Sequence, residues 1–153
     1  MPIVGTGNGT PGPDRVCGMA LHVHNITFDC ADARALATFW STVTGWNVYY
    51  DDDPEVLVVP HFPYDGTGLL FIPVPEGKTA KNRVHLDLAP DRGTRDEAVT
   101  AAVAAGATVV ADHRKADNSG WVVLQDPEGN EFCIERGAEE TGPRQPRQLR
   151  IGT

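Results

Sequence analysis

Three side chains capable of chemistry fall at positions that two predicted β-strands would bring to one surface. His85 and Asp87 are two residues apart in the segment 84–88, and Cys133 lies in the segment 131–134. Alternate residues of a strand point to the same side, so the imidazole and the carboxylate are expected to be neighbours. A carboxylate beside an imidazole favours the protonated ring, which makes His85 a candidate general acid or base. The same pair could equally orient a ligand, or the two side chains could simply bind each other. Cys133 could be a nucleophile or a small buried residue.

The polar faces of three predicted strands indicate where a ligand would bind. In the segment 21–29, Asn25, Thr27 and Asp29 share one face, and apolar residues occupy the other. Because the apolar faces are expected to meet helices, the polar faces are left to surround a common binding surface. Trp121 begins another predicted strand, where it would either stack on an aromatic ligand or pack in the core. With His85 as the candidate catalytic residue, the predicted ligand-binding residues are Asn25, Thr27, His85, Asp87, Trp121, Cys133 and Glu135.

An internal repeat organises the elements that position these residues. A strand, an amphipathic helix and three further strands follow one another twice along the chain. The glycines expected to end the two helices, Gly45 and Gly106, are 61 residues apart. Two copies are typical of a duplicated unit and not of a solenoid. The predicted fold class is α+β, with two tandem βαβββ modules at residues 20–74 and 83–136.

Composition and charge exclude several classes of function. The 153 residues carry 13 Lys and Arg against 21 Asp and Glu, a net charge of −8, and residues 20–135 alone carry −10. An acidic body lacks the basic surface that a nucleic-acid partner requires. No apolar run approaches the ~20 residues that span a bilayer, so we expect no membrane partner. The three cysteines form no CxxC pair, which favours a reducing, cytoplasmic location.

The two ends of the chain lack apolar periodicity. Residues 1–19 are rich in Gly and Pro, and residues 137–153 combine Arg, Pro and Gly. Both are predicted to be flexible extensions that flank a single domain at 20–136. Met19 opens the first patterned segment and is a candidate native start, which would make residues 1–18 a mis-assigned leader.

Several local motifs occur together along the chain. They are Phe39-Trp40 and Gly45-Trp46 at the first helix, the segments 27–32 and 78–88, and the turn and strand at 126–133. With the two modules, these motifs resemble the vicinal oxygen chelate superfamily and, within it, the bacterial glyoxalase-like domain branch. That superfamily includes glyoxalase I, extradiol dioxygenases, fosfomycin-modifying enzymes and bleomycin-binding proteins. The resemblance implies that the modules form a cupped mixed sheet that binds a small ligand, and that the chain forms a homodimer.

The resemblance also implies where a metal would be held. In metal-dependent members, one inward-facing ligand comes from each of the first, fourth, fifth and eighth strands. The matching residues here are Asn25, Phe71 or Ile72, His85 and Cys133. Only His85 is an ordinary metal ligand at an ordinary position. We therefore expect no cofactor.

Three interpretations of the function follow as expectations. The first is a protein that binds a small organic metabolite or antibiotic in its cup without the usual metal centre, with His85 able to act in acid/base catalysis. The second is a metal-dependent lyase or dioxygenase with an atypical ligand set. Its divalent metal would bind His85 and Cys133, joined by Asp87 or Glu135. A protein-interaction module with an occluded cup is a third interpretation. Acidic side chains around the cup favour a neutral or cationic ligand.

Overall fold

Each half of the chain forms a strand, a helix and three further strands, in the order that the repeat predicts. A computed structural model describes residues 21–49 and 52–142, so Met19 and the extension before it lie outside the described residues. The first module consists of β1 (Asn25–Cys30), α1 (Ala33–Thr44), β2 (Asn47–Tyr49), β3 (Val56–Val59) and β4 (Gly68–Pro73). The second consists of β5 (Leu86–Leu88), α2 (Arg95–Ala105), β6 (Thr108–Asp112), β7 (Val122–Gln125) and β8 (Glu131–Ile134). The predicted α+β class with two tandem βαβββ modules is confirmed.

The two long helices begin and end at residues whose chemistry favours those positions. The Asp32 carboxylate accepts a hydrogen bond from the Ala35 N–H at 3.0 Å, and Gly45, at φ +72°, ends α1. Thr94 and Glu97 form a reciprocal capping box at the start of α2. These side chains satisfy N–H groups that the first turn of a helix leaves unpaired. No helix in the described part of the chain has the length and apolar character needed to cross a membrane.

Each module has its own four-stranded sheet, with strand orders β1-β4-β3-β2 and β5-β8-β7-β6. In both sheets the first strand of the module runs parallel to the last, and the other pairs are antiparallel. The register between β5 and β8 places Asp87 directly opposite Cys133. β5 is shorter than predicted and begins at Leu86, so His85 lies just before it. Two of the three chemically interesting residues are therefore neighbours across a strand pair.

Trp40, on α1, joins the cores of the two modules. Its ring centre lies 5.2 Å from that of Phe28 on β1 and 5.2 Å from that of Phe132 on β8. Its indole N–H donates to the buried carboxylate of Asp126, in the turn between β7 and β8, at 3.1 Å. In the same turn, Glu128 accepts two backbone N–H groups that precede α1. Helix α1 thus fixes the position of β1 relative to β8.

The folded part of the chain continues beyond the predicted end of the domain. Residues Ala138–Thr141 form a short helix, α3. The carboxylates of Glu139 and Glu140 accept hydrogen bonds from the backbone N–H groups of Gly93 (2.9 Å) and Arg95 (2.7 Å) at the start of α2. The prediction of a flexible tail is wrong for this helix, because contacts distant in sequence hold it where no apolar periodicity is present.

Candidate functional site

His85, Asp87 and Cys133 converge on one side of the second sheet, and we call these three residues the His85 cluster. His85 Nε2 lies 3.5 Å from Asp87 Oδ1. One donor atom from each of the three residues lies within 4.8 Å of the other two. Asp87 also pairs with Cys133 in the register of β5 and β8, and its carboxylate raises the pKa of the Cys133 thiol. Asp87 is therefore the group that connects the other two.

The Cys133 thiol is protonated at neutral pH. The residue is only 4% exposed, and burial raises the pKa of its thiol to about 11. Smaller contributions to this rise come from the negative charges of Asp87 and Glu135. Because nucleophilic attack requires a thiolate, this environment does not activate Cys133 as a nucleophile.

A cavity of about 110 Å³ lies between the modules and is lined by β1 and by the residues at the start of β5. Two of the predicted ligand-binding residues, Thr27 and His85, line it. The other lining residues are Ile26, Phe28, Trp40, Val84, Leu86 and Glu131. Apolar side chains thus line this cavity together with residues of the polar strand faces that were expected to surround a ligand. Residues from both faces of β1 reach this cavity, because it opens between the edge strands of two sheets and not above one face.

Glu131 supplies the carboxylate of the cavity wall. Its oxygens accept hydrogen bonds from the Asn82 backbone N–H (3.0 Å), Lys78 Nζ (3.3 Å) and Gln125 Nε2 (3.3 Å). Burial raises the pKa of this carboxyl, but the hydrogen bonds outweigh burial and lower the pKa to about 2. Glu131 is thus ionised at neutral pH. Strand alternation places it on the polar face, but no local pattern signals its contacts with the linker between the modules.

Five predicted ligand-binding residues do not line this cavity: Asp87 and Cys133, which belong to the His85 cluster, and Asn25, Trp121 and Glu135. The Asn25 amide accepts a hydrogen bond from the Tyr64 hydroxyl at 3.3 Å. Trp121 is 41% exposed, and its ring centre lies 5.1 Å from that of His113. Glu135 is bound through its backbone N–H to the end of β5. Alternation along a strand identifies the face of a residue, but it does not give the distance to another strand.

The four positions that the resemblance implies for a metal do not fit one. Phe71, on β4, is fully buried in the aromatic core, and neither Phe71 nor Ile72 has an atom that binds a metal. The Asn25 amide is engaged by a tyrosine hydroxyl. The donor atoms that do converge in the described residues are those of the His85 cluster.

Comparisons with known proteins agree with this fold. The family model for the glyoxalase-like domain matches residues 25–135. The chain is similar to a glyoxalase/bleomycin resistance protein/dioxygenase family enzyme from Burkholderia phytofirmans PsJN, with 20% identity over 74% of this chain and 97% of that chain and a TM-score of 0.58. It is also similar to the fosfomycin resistance protein FosX from Mesorhizobium loti, with 13% identity over 84% and 99% of the two chains and a TM-score of 0.57. Lactoylglutathione lyase from Agrobacterium tumefaciens shares 18% identity over 82% and 100%, with a TM-score of 0.53.

No curated protein sequence matches the chain. At the identities found, the structural neighbours establish a shared fold, and a fold alone does not specify a ligand. The family match extends over both modules, from the first residue of β1 to the end of β8. The chain therefore belongs to the glyoxalase-like domain family, within the vicinal oxygen chelate superfamily.

Proposed function

We propose that this protein binds a small organic molecule, a metabolite or an antibiotic, in the cavity between β1 and β5. The lining of that cavity carries the proposal: its walls are apolar, and its polar groups are the Thr27 hydroxyl, the His85 imidazole and the Glu131 carboxylate. Binding pockets commonly combine apolar walls with a few polar groups that orient the ligand. A volume of about 110 Å³ suits a group somewhat smaller than benzene, which an apolar cavity of about 150 Å³ holds.

A larger ligand extends past His85, whose side chain is 41% exposed. The charges at this opening favour a neutral or cationic molecule. Glu131 is ionised, and Asp87 adds a second carboxylate beside the imidazole. Lys78, in the linker between the modules, forms an ion pair with Glu131 at 3.2 Å, so the positive charge of Lys78 is already balanced. Because Lys78 and Glu131 balance each other, an anion would meet the remaining negative charge of Asp87.

His85 supplies the chemistry in this proposal. Its imidazole lines the cavity, and the Asp87 carboxylate at 3.5 Å holds the ring in place. A ring placed in this way can donate a proton to a bound molecule or accept one from it. Among the structural neighbours are a fosfomycin resistance protein and a lactoylglutathione lyase. Those names support a small molecule as the kind of ligand that this fold serves.

The binding proposal is tested by a small-molecule screen that measures the melting temperature in the presence of a metal chelator. Compounds that raise the melting temperature of the natural protein are then tested on Thr27→Phe, which places a ring at the cavity wall. Thr108→Phe is the matched control, because Thr108 is an exposed strand residue of the other sheet. Stabilisation should be lost in T27F and kept in T108F. A compound that stabilises both variants equally binds elsewhere, and that result would contradict the proposal.

Catalysis is tested on the same compounds by mass spectrometry. Turnover that disappears in His85→Gln, while the rise in melting temperature persists, supports proton transfer by His85. Binding without any new product identifies a protein that sequesters its ligand.

A metal-dependent lyase or dioxygenase is the second candidate function. One observation favours it, namely the convergence of nitrogen, oxygen and sulfur donors in the His85 cluster. This function requires a stably bound metal, so it fails if the protein purified without an affinity tag and supplied with divalent metals retains none.

A further inference from the structure

We infer that the His85 cluster binds a zinc-like divalent metal ion, using ligands from the second module alone. The three donor atoms already lie within 4.8 Å of one another. Atoms bound to a tetrahedral zinc at about 2.0–2.3 Å are roughly 3.5 Å apart. His85 Nε2 and Asp87 Oδ1 are 3.5 Å apart, so this pair has the required separation before any movement. The site does not rest on the small-molecule proposal, since a metal could bind here whether or not the cavity holds a ligand.

The backbone holds two of the ligands at fixed positions. Asp87 pairs with Cys133 in the parallel register of β5 and β8, and Cys133 pairs on its other side with Val123 of β7. His85 immediately precedes β5. Sites whose ligands lie on sheet strands keep their geometry better than sites on loops. Side-chain rotation has then to shorten separations of at most 4.8 Å to about 3.5 Å to bring the sulfur to the same ion.

The donor set selects the kind of metal. One imidazole nitrogen, one carboxylate oxygen and one thiolate sulfur suit zinc and its substitute cobalt, whereas magnesium and calcium require oxygen ligands. Three protein ligands leave the fourth tetrahedral position open to water or another molecule. This set differs from the one implied by the family resemblance, because Asp87 takes part and the first module contributes nothing.

Burial and charge are arranged for an ion that enters from solvent. The side chains of His85 and Asp87 are 41% and 54% exposed, whereas Cys133 is buried beneath them. When the metal–sulfur bond forms, the thiol proton passes to solvent. The carboxylate and the thiolate then balance the two positive charges of the ion. Without a metal, Asp87 would position the imidazole and the Cys133 thiol would stay protonated.

Cobalt distinguishes these two possibilities, because a thiolate bound to Co²⁺ absorbs in the near ultraviolet and a protonated thiol does not. The full chain without an affinity tag is stripped of metal, titrated with Co²⁺, and then displaced with Zn²⁺. We expect one Co²⁺ per chain, with a sulfur-to-cobalt band that Zn²⁺ abolishes. Asp87→Asn should weaken Co²⁺ binding by at least about 10-fold, the scale expected for changes around a metal site. Cys133→Ser should remove the band.

Cys30→Ser is the matched control. Cys30 is equally buried, at the end of β1, and its thiol donates to the Ile72 carbonyl at 3.5 Å. Burial also raises the pKa of the Cys30 thiol to about 11. C30S should keep both the band and the Co²⁺ affinity. Because Asp87 is exposed, D87N tests the site even if a cysteine variant fails to fold.

Three outcomes would overturn the inference. They are the absence of the band in the natural protein, a band that depends on Cys30, and Co²⁺ binding that is unchanged in D87N. The small-molecule screen is run with chelator present, so a failure of either proposal is seen separately from a failure of the other.

Discussion

The Trp40 indole N–H donates a hydrogen bond to the Asp126 carboxylate at 3.1 Å across the junction of the two modules. Asp126 is only 3% exposed, and it also accepts the backbone N–H groups of Glu128 and Asn130 and the Asn130 side-chain amide. One buried carboxylate therefore closes the turn between β7 and β8 and attaches that turn to α1. Its position matters for the site, because α1 packs on β1 and the turn leads into β8.

Asp126→Ala is expected to lower the free energy of unfolding by about 3 kcal/mol, because it leaves several buried donors without an acceptor. Asp126→Asn should cost less, since an amide oxygen can replace part of the carboxylate. Urea denaturation followed by tryptophan fluorescence measures both changes. The control is Asp65→Ala at an exposed carboxylate, which should stay within about 0.5 kcal/mol of the natural protein. Equal effects of D126A and D65A would show that Asp126 does not anchor the junction.

The helices and the repeat could be predicted because their signals are local. Asp32 and Gly45 mark the two ends of α1, and the spacing from Thr94 to Glu97 is that of the capping box found at α2. Each of these residues acts within one turn of its own helix, so its effect does not depend on the rest of the fold. Helix α3 shows the opposite case, because its glutamates contact the start of α2 and no nearby residue predicts that contact.

The site could be predicted only in part, for a related reason. Alternation predicts that His85 and Asp87 are neighbours, and their side chains lie 3.5 Å apart although His85 immediately precedes β5. It also places Thr27 and Glu131 on polar faces, but their meeting in one cavity depends on how the edges of two sheets approach each other. That approach is set by the packing of Trp40 between the modules, and strand periodicity carries no information about it.

Glu131 is expected to make stability depend on pH below the neutral range. Hydrogen bonds lower the pKa of this carboxyl from 4.5 to about 2 in the folded protein. A carboxyl whose pKa is depressed by folding stabilises the protein when the pH is above its unfolded pKa, and this contribution is lost as the pH falls through the folded value. Stability should therefore decline between about pH 4.5 and pH 2.

Glu131→Gln should reduce stability at neutral pH and flatten that decline. Denaturant titrations of both proteins at several pH values measure the difference. Glu76→Gln, at an exposed position of the linker, should leave the slope unchanged. If E131Q declined as steeply as the natural protein over this window, other carboxyls would be responsible for the acid sensitivity.

Arg95 is expected to be among the costliest residues to replace outside the cavity. It is 1% exposed, and its guanidinium donates to the carbonyls of Asn118 (3.2 Å) and Gly120 (3.1 Å) and to the Asp96 carboxylate (3.1 Å). Arg95→Met should lower the free energy of unfolding by about 3 kcal/mol or more, because buried acceptors lose their donor. Arg95→Lys should recover little, since one ammonium cannot reproduce the planar fork of donors. Hydrogen exchange should show faster opening of the loop between β6 and β7 in R95M, whereas a substitution at the exposed Arg92 should not.

Gly120 holds the same loop in a conformation that other residues adopt only with strain. Its φ is +92°, and an added Cβ would collide with the backbone carbonyl oxygen of His113. Gly120→Ala is therefore expected to cost more than about 2 kcal/mol of stability. Gly77→Ala is the matched control, because a Cβ there would meet no atom within 4 Å.

Since the Gly120 carbonyl accepts a hydrogen bond from Arg95, the loop displaced in G120A has already lost part of that contact. The combined effect of G120A and R95M should then be smaller than the sum of the two separate losses, because the substitutions break one shared contact. Additive losses in a double-mutant cycle would mean that Arg95 and Gly120 stabilise the loop independently.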